Sequence, residues 1–203
     1  MQLFTTLDSP YGRKIRVVLA EKNLPFELVE DAPWSRQSRI PGLNPLGKVP
    51  VLVTDDDEAF FDSPVVAGYL ETLPSAPPLL PASGVERVRV RQSEALADGI
   101  LDAGVAIFLE GIRPAEQQIQ ANITRQLAKI NSALDSLEKR LQGRQWLNGD
   151  SLQLGDLATA NAIAFVALRV PRLEWKKDRP ALTAYAEGLL ARPSFETTKP
   201  PER

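Results

Sequence analysis

The spacing of apolar residues changes once along this chain. Up to residue 73 they come in short clusters, broken by polar and proline-containing segments. From residue 84 onward they recur every three or four residues, the spacing of one face of an α-helix. In the first stretch, residues 2–6 form a β-prone run. Ser9-Pro10 then opens a helix whose apolar face is Ile15, Val18 and Leu19. A hydroxyl residue followed by proline suits a helix start, because the hydroxyl caps free N–H groups and proline has none to leave unpaired. Asn23-Leu24-Pro25 ends that helix, and residues 26–29 predict a second strand. Residues 31–47, rich in Pro, Ser, Gly and Asn, predict a loop with one short helix. The run 49–54, interrupted by Pro50, predicts a third strand, and Asp55-Asp56-Asp57 a charged turn. Phe60 and Phe61 belong to a fourth strand. Asp62-Ser63-Pro64 opens a second helix with Val66, Tyr69, Leu70 and Leu73 on one face.

Residues 73–83 read LPSAPPLLPAS. Four prolines in eleven residues cannot sustain a helix or a central strand, so residues 74–83 are read as a linker. It divides an α/β domain with a mixed sheet, residues 1–73, from an all-helical domain, residues 84–203. In the second domain Leu96, Ile100, Ala103 and Ile107 share a face. Ile119, Ile123, Leu127, Ile130, Leu134, Leu137 and Leu141 hold one stripe for about six turns. Leu182, Tyr185 and Leu189 mark a last helix. The most apolar stretch, residues 157–168, contains Thr159 and Asn161 and falls short of the ~20 residues that span a bilayer. It reads as a buried core helix.

Composition removes most chemistries. A hydrophobic fraction of 43% with 25% charged residues is that of a globular domain. The net charge of −2, with basic and acidic residues intermixed, offers no stripe for a phosphate backbone, so no nucleic-acid partner is expected. No basic segment followed by an apolar core opens the sequence, so a cytoplasmic location without membrane attachment is expected. The chain has no cysteine and no histidine. Disulfides, thiol redox chemistry, thiolate or imidazole metal sites, Ser-His-Asp triads and a histidine base are thereby excluded. The acids at 55–58 are adjacent, without the ligand spacing of a calcium loop, and read as a solvated turn. No metal is expected.

What remains is hydroxyls, carboxylates, cations and backbone amides. Ser9 at a helix N-terminus sits beside unpaired N–H groups and the positive end of the helix dipole, which favours an anion, a thiolate included. It is equally a plain N-cap, and the two roles are compatible. Asp62-Ser63 also opens a helix. The hydroxyl and amides suit a carboxylate and Asp62 suits an ammonium, which together fit an α-amino acid group, although a simple cap explains them too. Pro50 belongs at a strand start if its peptide bond is trans. If the Val49-Pro50 bond is cis, the main chain of Val49 turns outward and a peptide-like ligand can pair with it as an added strand. Gln153 to Leu157 precedes the buried helix, and Asp156, three residues after the cap position, reads as structural through its reach back to backbone amides.

Four segments, SPYGRKIRV from Ser9, NPLGKVPVL from Asn44, FDSPVVAGYLE from Phe61 and LQLGDLATA from Leu152, resemble glutathione transferases in order and spacing. The Ser-Pro helix start is similar to a bacterial group with serine at the first active-site position. The resemblance covers nearly the whole chain. It implies a thioredoxin-like N-terminal domain, a helical C-terminal domain, glutathione as co-substrate, and a cis Val49-Pro50 bond. By position it implies that Ser9 faces the glutathione sulfur, that Val49 pairs with the cysteinyl unit, and that Asp62 and Ser63 hold the γ-glutamyl group. Lys48, with Arg36 or Trp34, is the candidate for the other carboxylate. The family usually has Ser or Thr where this chain has Gln153, a poorer cap, so only the acid half of that box is expected. The implied activity is attack of the glutathione thiolate on a small hydrophobic electrophile by a homodimer. A non-catalytic, glutathione-binding scaffold of the same fold is the second reading. A serine hydrolase is disfavoured, because neither a base nor a Gly-x-Ser-x-Gly turn is present.

Overall fold

A computed structural model describes residues 1–74 and 77–201. Ser75 and Ala76 of the expected linker, and the last two residues of the expected helical domain, lie outside the described residues. The chain forms two compact units, Met1–Leu80 with Pro193–Arg203, and Pro81–Arg192. The terminal segment from Pro193, expected within the helical domain, therefore groups with the first unit.

The first unit is built on a four-stranded sheet. Strand β1 (Gln2–Thr5) leads into helix α1 (Pro10–Glu21), which returns the chain to β2 (Glu27–Glu30), parallel to β1. The loop after β2 carries one short helix, α2 (Ile40–Leu43), followed by β3 (Val51–Val53), β4 (Ala59–Phe60) and α3 (Ser63–Leu70). Both later strands are antiparallel to their neighbours, and the sheet order is β2-β1-β3-β4. The third strand is shorter than the expected run 49–54, because Pro50 has no N–H to give a ladder. Phe61 falls just past β4, and Leu73 lies beyond α3. On one side of the sheet Phe4, Ile40, Val51 and Val53 form a buried cluster. Helix α1 lies so close to β1 that a Cβ on Gly12 would come within 1.9 Å of Thr5 Oγ1.

Ile15, Val18 and Leu19 are buried as the apolar spacing predicts, but so are Arg13, Lys14 and Arg16. A four-residue helix from the end of the chain, α8 (Pro193–Glu196), packs on α1. Arg13 Nη2 donates to the Phe195 carbonyl at 3.1 Å, and Arg16 Nη1 to that of Thr198 at 3.4 Å. Burial lowers the Arg13 pKa to about 10, with the nearby Arg16 charge adding and Glu196 opposing. Burial likewise lowers that of Arg16.

The second unit is helical: α4 (Gly84–Gly111), α5 (Gln120–Leu141), α6 (Leu154–Arg169) and α7 (Pro180–Leu190), with a short 3-10 turn at Ala115–Gln117. The stripe on α5 is buried at Ile123, Ile130, Leu134, Leu137 and Leu141. Ile119 serves as N-cap and is exposed. Helix α6 buries twelve of its sixteen residues, which fits its apolar composition all round. It packs tightly on α4, where a Cβ on Gly155 would meet Ser93 Cβ at 2.7 Å. Glu138 on α5 caps α7 by accepting from the Leu182 N–H at 2.7 Å. Among the described residues no helix is long and apolar enough to cross a membrane.

Candidate functional site

Register alone gathers the candidate residues of the first unit at one end of its sheet. Strand β1 ends at Thr5, and Ser9 follows one turn later. Strand β3 runs opposite to β1 with Phe4 facing Val51, so Val49-Pro50, just before β3, lies at the end where β1 finishes. Strand β4 runs opposite to β3 with Leu52 facing Phe60, which brings Asp62-Ser63 to that same end. Strand β2 is parallel to β1, and its continuation is fastened there by the Asp31 N–H donating to the Thr5 carbonyl at 3.0 Å. The loop holding Trp34 and Arg36 starts from this point.

Ser9 is the N-cap of α1, with extended backbone and Pro10 at the first helical position. Its Oγ accepts the Gly12 N–H at 3.1 Å, and its residue is 9% exposed. The hydroxyl hydrogen is not used in that bond, so Ser9 caps its helix while keeping one donor to offer. Neighbouring N–H groups of the first turn add positive potential.

The Val49-Pro50 peptide bond is cis. Val49 is half-buried and takes no part in the β3 ladder. The approach to it is fixed by Asn44, the first residue of the NPLGKVPVL segment and not among the expected site residues. Asn44 is almost fully buried. Its Oδ1 accepts the Leu46 N–H at 2.9 Å, and its Nδ2 donates to the Lys48 carbonyl at 2.9 Å. Gly47 supplies the left-handed residue of this turn, with φ of 60°. The signal was the Asn-Pro pair, since an Asx turn is what Asn offers ahead of proline. Lys48 itself is exposed.

Asp62 is the N-cap of α3 and accepts the Ser63 N–H. The Phe61-Asp62 bond is also cis. Asp62 is exposed, whereas Ser63 is fully buried and its Oγ has no hydrogen-bond partner among the described residues. Trp34 is 81% exposed and Arg36 is exposed on the loop before α2.

Asp156 lies in the other unit, buried at the start of α6. Its Oδ2 accepts the Gln153 N–H at 2.8 Å, and its Oδ1 accepts the Leu147 N–H at 2.9 Å and the Tyr185 hydroxyl at 2.6 Å. The acid half of the capping box is thus present. Gln153 Oε1 is buried without a hydrogen bond. Burial raises the Asp156 pKa, opposed by the three hydrogen bonds and by the Arg140 charge. Burial, with Asp156 alongside, pushes the Tyr185 hydroxyl well above its ordinary value. Among the described residues no cluster of three carboxylates could hold a metal ion.

A mixed sheet with this strand order, a cis proline ahead of its third strand and a helical second unit define a thioredoxin-like domain joined to an all-helical one. Residues 8–73 match the Glutathione S-transferase, N-terminal domain family, and residues 120–188 the Glutathione S-transferase, C-terminal domain family. The uncharacterized GST-like protein YibF of Escherichia coli is 42% identical over 202 residues, covering 100% of both chains. A glutathione S-transferase of Methylobacillus flagellatus, solved with glutathione bound, is 36% identical and superposes with a TM-score of 0.94 over 98% of this chain and 99% of its own. One from Methylobacterium radiotolerans, in complex with glutathione sulfonate, is 37% identical with a TM-score of 0.92 over 100% of this chain and 95% of its own. The chain belongs to the glutathione S-transferase family.

Proposed function

We propose that this protein is a glutathione transferase, and that the end of the sheet carrying Ser9, Val49 and Ser63 holds its glutathione. The observation that carries this reading is Ser9, an N-cap that accepts from Gly12 and retains a hydroxyl proton to donate. A glutathione thiolate placed against it receives that hydrogen bond and the field of the α1 N-terminus. Hydrogen bonds to the charged form lower a pKa, and cysteine thiols titrate near ~8.5. The thiol proton leaves to solvent, the sulfur lone pair forms a bond to an electrophilic carbon, and the displaced group departs with the bonding pair. Without histidine no base stands ready to deprotonate Ser9, which makes it a donor and a poor nucleophile.

Binding of the rest of the tripeptide follows its chemistry. The main chain of Val49, outside the ladder, pairs with the cysteinyl unit. Ser63 offers an otherwise unpartnered hydroxyl to the γ-glutamyl carboxylate, beside Asp62 for the ammonium. Lys48 and Arg36, both exposed cations, serve the glycine carboxylate, with Trp34 on the same loop. Glutathione and glutathione sulfonate bound in the two solved relatives named above support glutathione as the ligand. The test is retention on immobilised glutathione, followed by conjugation of a generic electrophile. Retention with turnover supports the reading. Retention without turnover points to a scaffold that only binds, and failure to be retained removes glutathione altogether.

A further inference from the structure

Within the helical unit, the start of α4, the end of α5 and the loop that follows enclose a cavity of about 750 Å³, inside the size range of small-molecule sites. Its wall is rich in hydrogen-bond donors. Arg89 comes from α4, Arg140 from α5 and Arg144 from the loop, and Asn148 closes the inner side. Among the described residues of the wall the one carboxylate, Glu86, is taken up by Arg89 at 2.5 Å. Arg144 is exposed, and no side-chain hydrogen bond or ion pair engages it among the described residues.

The inner side is built from buried polar groups. Ser93 is fully buried and Asn148 is 7% exposed. Arg140 Nη2 donates to Ser93 Oγ at 2.6 Å, and Ser93 Oγ lies 2.7 Å from Asn148 Oδ1. The Ser93 hydroxyl donates to Asn148 Oδ1, the nearer of two acceptors, with the Arg89 carbonyl at 3.1 Å. Asn148 lines the cavity, and its Nδ2 donates to no acceptor among the described residues. Among the described residues the Arg140 guanidinium is held through Nη2 alone and keeps its other donors. Asp156, whose charge also acts on Arg140, is fully buried behind the wall with its oxygens occupied. Leu96 and Leu147 supply apolar surface on the same wall.

We propose that this cavity is a binding site for a small multivalent oxyanion, separate from the glutathione site. Guanidinium and amide donors, with the lining carboxylate Glu86 already paired to Arg89, match the oxygens of a phosphoryl or polycarboxylate group. The volume exceeds one phosphate group and leaves room for an organic portion against Leu96 and Leu147.

Calorimetric titration of the whole protein with pyrophosphate and with citrate, at fixed ionic strength set by sodium chloride, tests this. One or both bind saturably, and which binds more tightly tells a phosphoryl source from a carboxylate one. Arg144→Gln, at an exposed position, weakens binding by about 10-fold, the loss of one charge-assisted bond. Asn148→Asp, which puts an anion where the donor stood, abolishes it. Amide shifts on binding stay within residues 86–96 and 136–149, and glutathione retention is unchanged in Arg144→Gln. Absence of saturable binding by either anion up to about 10 mM overturns the proposal. So does binding that survives both substitutions, or shifts centred on the first unit.

Discussion

Lys22 Nζ lies 2.9 Å from Glu71 Oε1, with the two side chains 1% and 6% exposed. Lys22 is the C-cap of α1 and Glu71 that of α3, so the pair joins the ends of the two helices whose N-termini carry Ser9 and Asp62. Glu71 also accepts the N–H groups of Leu79 and Leu80, at 3.2 Å each to Oε2, and Lys22 donates to the Pro77 carbonyl at 3.2 Å. Removing one member strands a buried charge, which costs about 3–5 kcal/mol. Lys22→Met and Glu71→Gln each lower the urea midpoint strongly, and the double variant costs less than the sum. Strict additivity in that cycle shows the two groups are not coupled.

Asp156→Ala leaves the Leu147 and Gln153 amides and the Tyr185 hydroxyl without their acceptor, at about 1–3 kcal/mol for each buried group left unpaired. The pH dependence has a definite sign. Burial holds the folded carboxyl above its unfolded pKa, so the native state binds the proton more strongly. The stability that Asp156 supplies is therefore greater below its raised folded pKa, and declines as pH rises from the unfolded value through the folded one. The gap between wild type and Asp156→Ala widens on acidification. Urea midpoints at neutral and mildly acidic pH check this, and a gap that narrows contradicts it.

Most of this architecture was legible from spacing and punctuation. Ser9-Pro10 and Asp62-Ser63-Pro64 marked two helix starts correctly because capping chemistry is local. The stripe on α5 predicted most of its buried face because helical periodicity is also local, whereas the strand expected over 49–54 begins only at Val51, after Pro50. What stayed hidden depends on distant chain. Nothing in the sequence marks Arg13 and Arg16 as buried, yet they donate to main-chain carbonyls 182 positions away. A carbonyl partner leaves no trace in residue identity, so the place of Pro193 onward in the first unit was invisible too. Ser63 was legible as a helix-start residue. That its hydroxyl is buried and unpartnered depends on packing.

That orphaned hydroxyl separates binding from folding. Ser63→Ala removes no intramolecular bond, so its melting temperature stays near that of wild type. Its affinity for glutathione falls by about 10-fold, the value of one hydrogen bond to a charged group. Asp62→Ala acts similarly on affinity. Both touch the end of the tripeptide remote from sulfur, so turnover at saturating glutathione changes less than affinity does. A large fall in saturated turnover at unchanged affinity runs against this assignment.

A homodimer is proposed from family membership and from the small size of the first unit, whose independent stability is limited. Light scattering at micromolar concentration gives twice the 22.3 kDa chain mass if this holds. A mass of one chain removes it.

The central claim, that Ser9 stabilises the glutathione thiolate by donating a hydrogen bond, rests on a hydroxyl that already accepts from Gly12 at 3.1 Å. Ser9→Ala raises the pKa of bound glutathione and slows conjugation, with affinity nearly intact. The fall in rate stays at or below the ~10²–10³ typical of losing one preorganised donor, since the amides of α1 remain. The direct measurement is ultraviolet thiolate absorbance of the glutathione complex, titrated with pH for wild type and Ser9→Ala. A variant curve displaced to higher pH is the predicted result, and coincident curves contradict the claim, leaving Ser9 as a helix cap and the sulfur activated elsewhere.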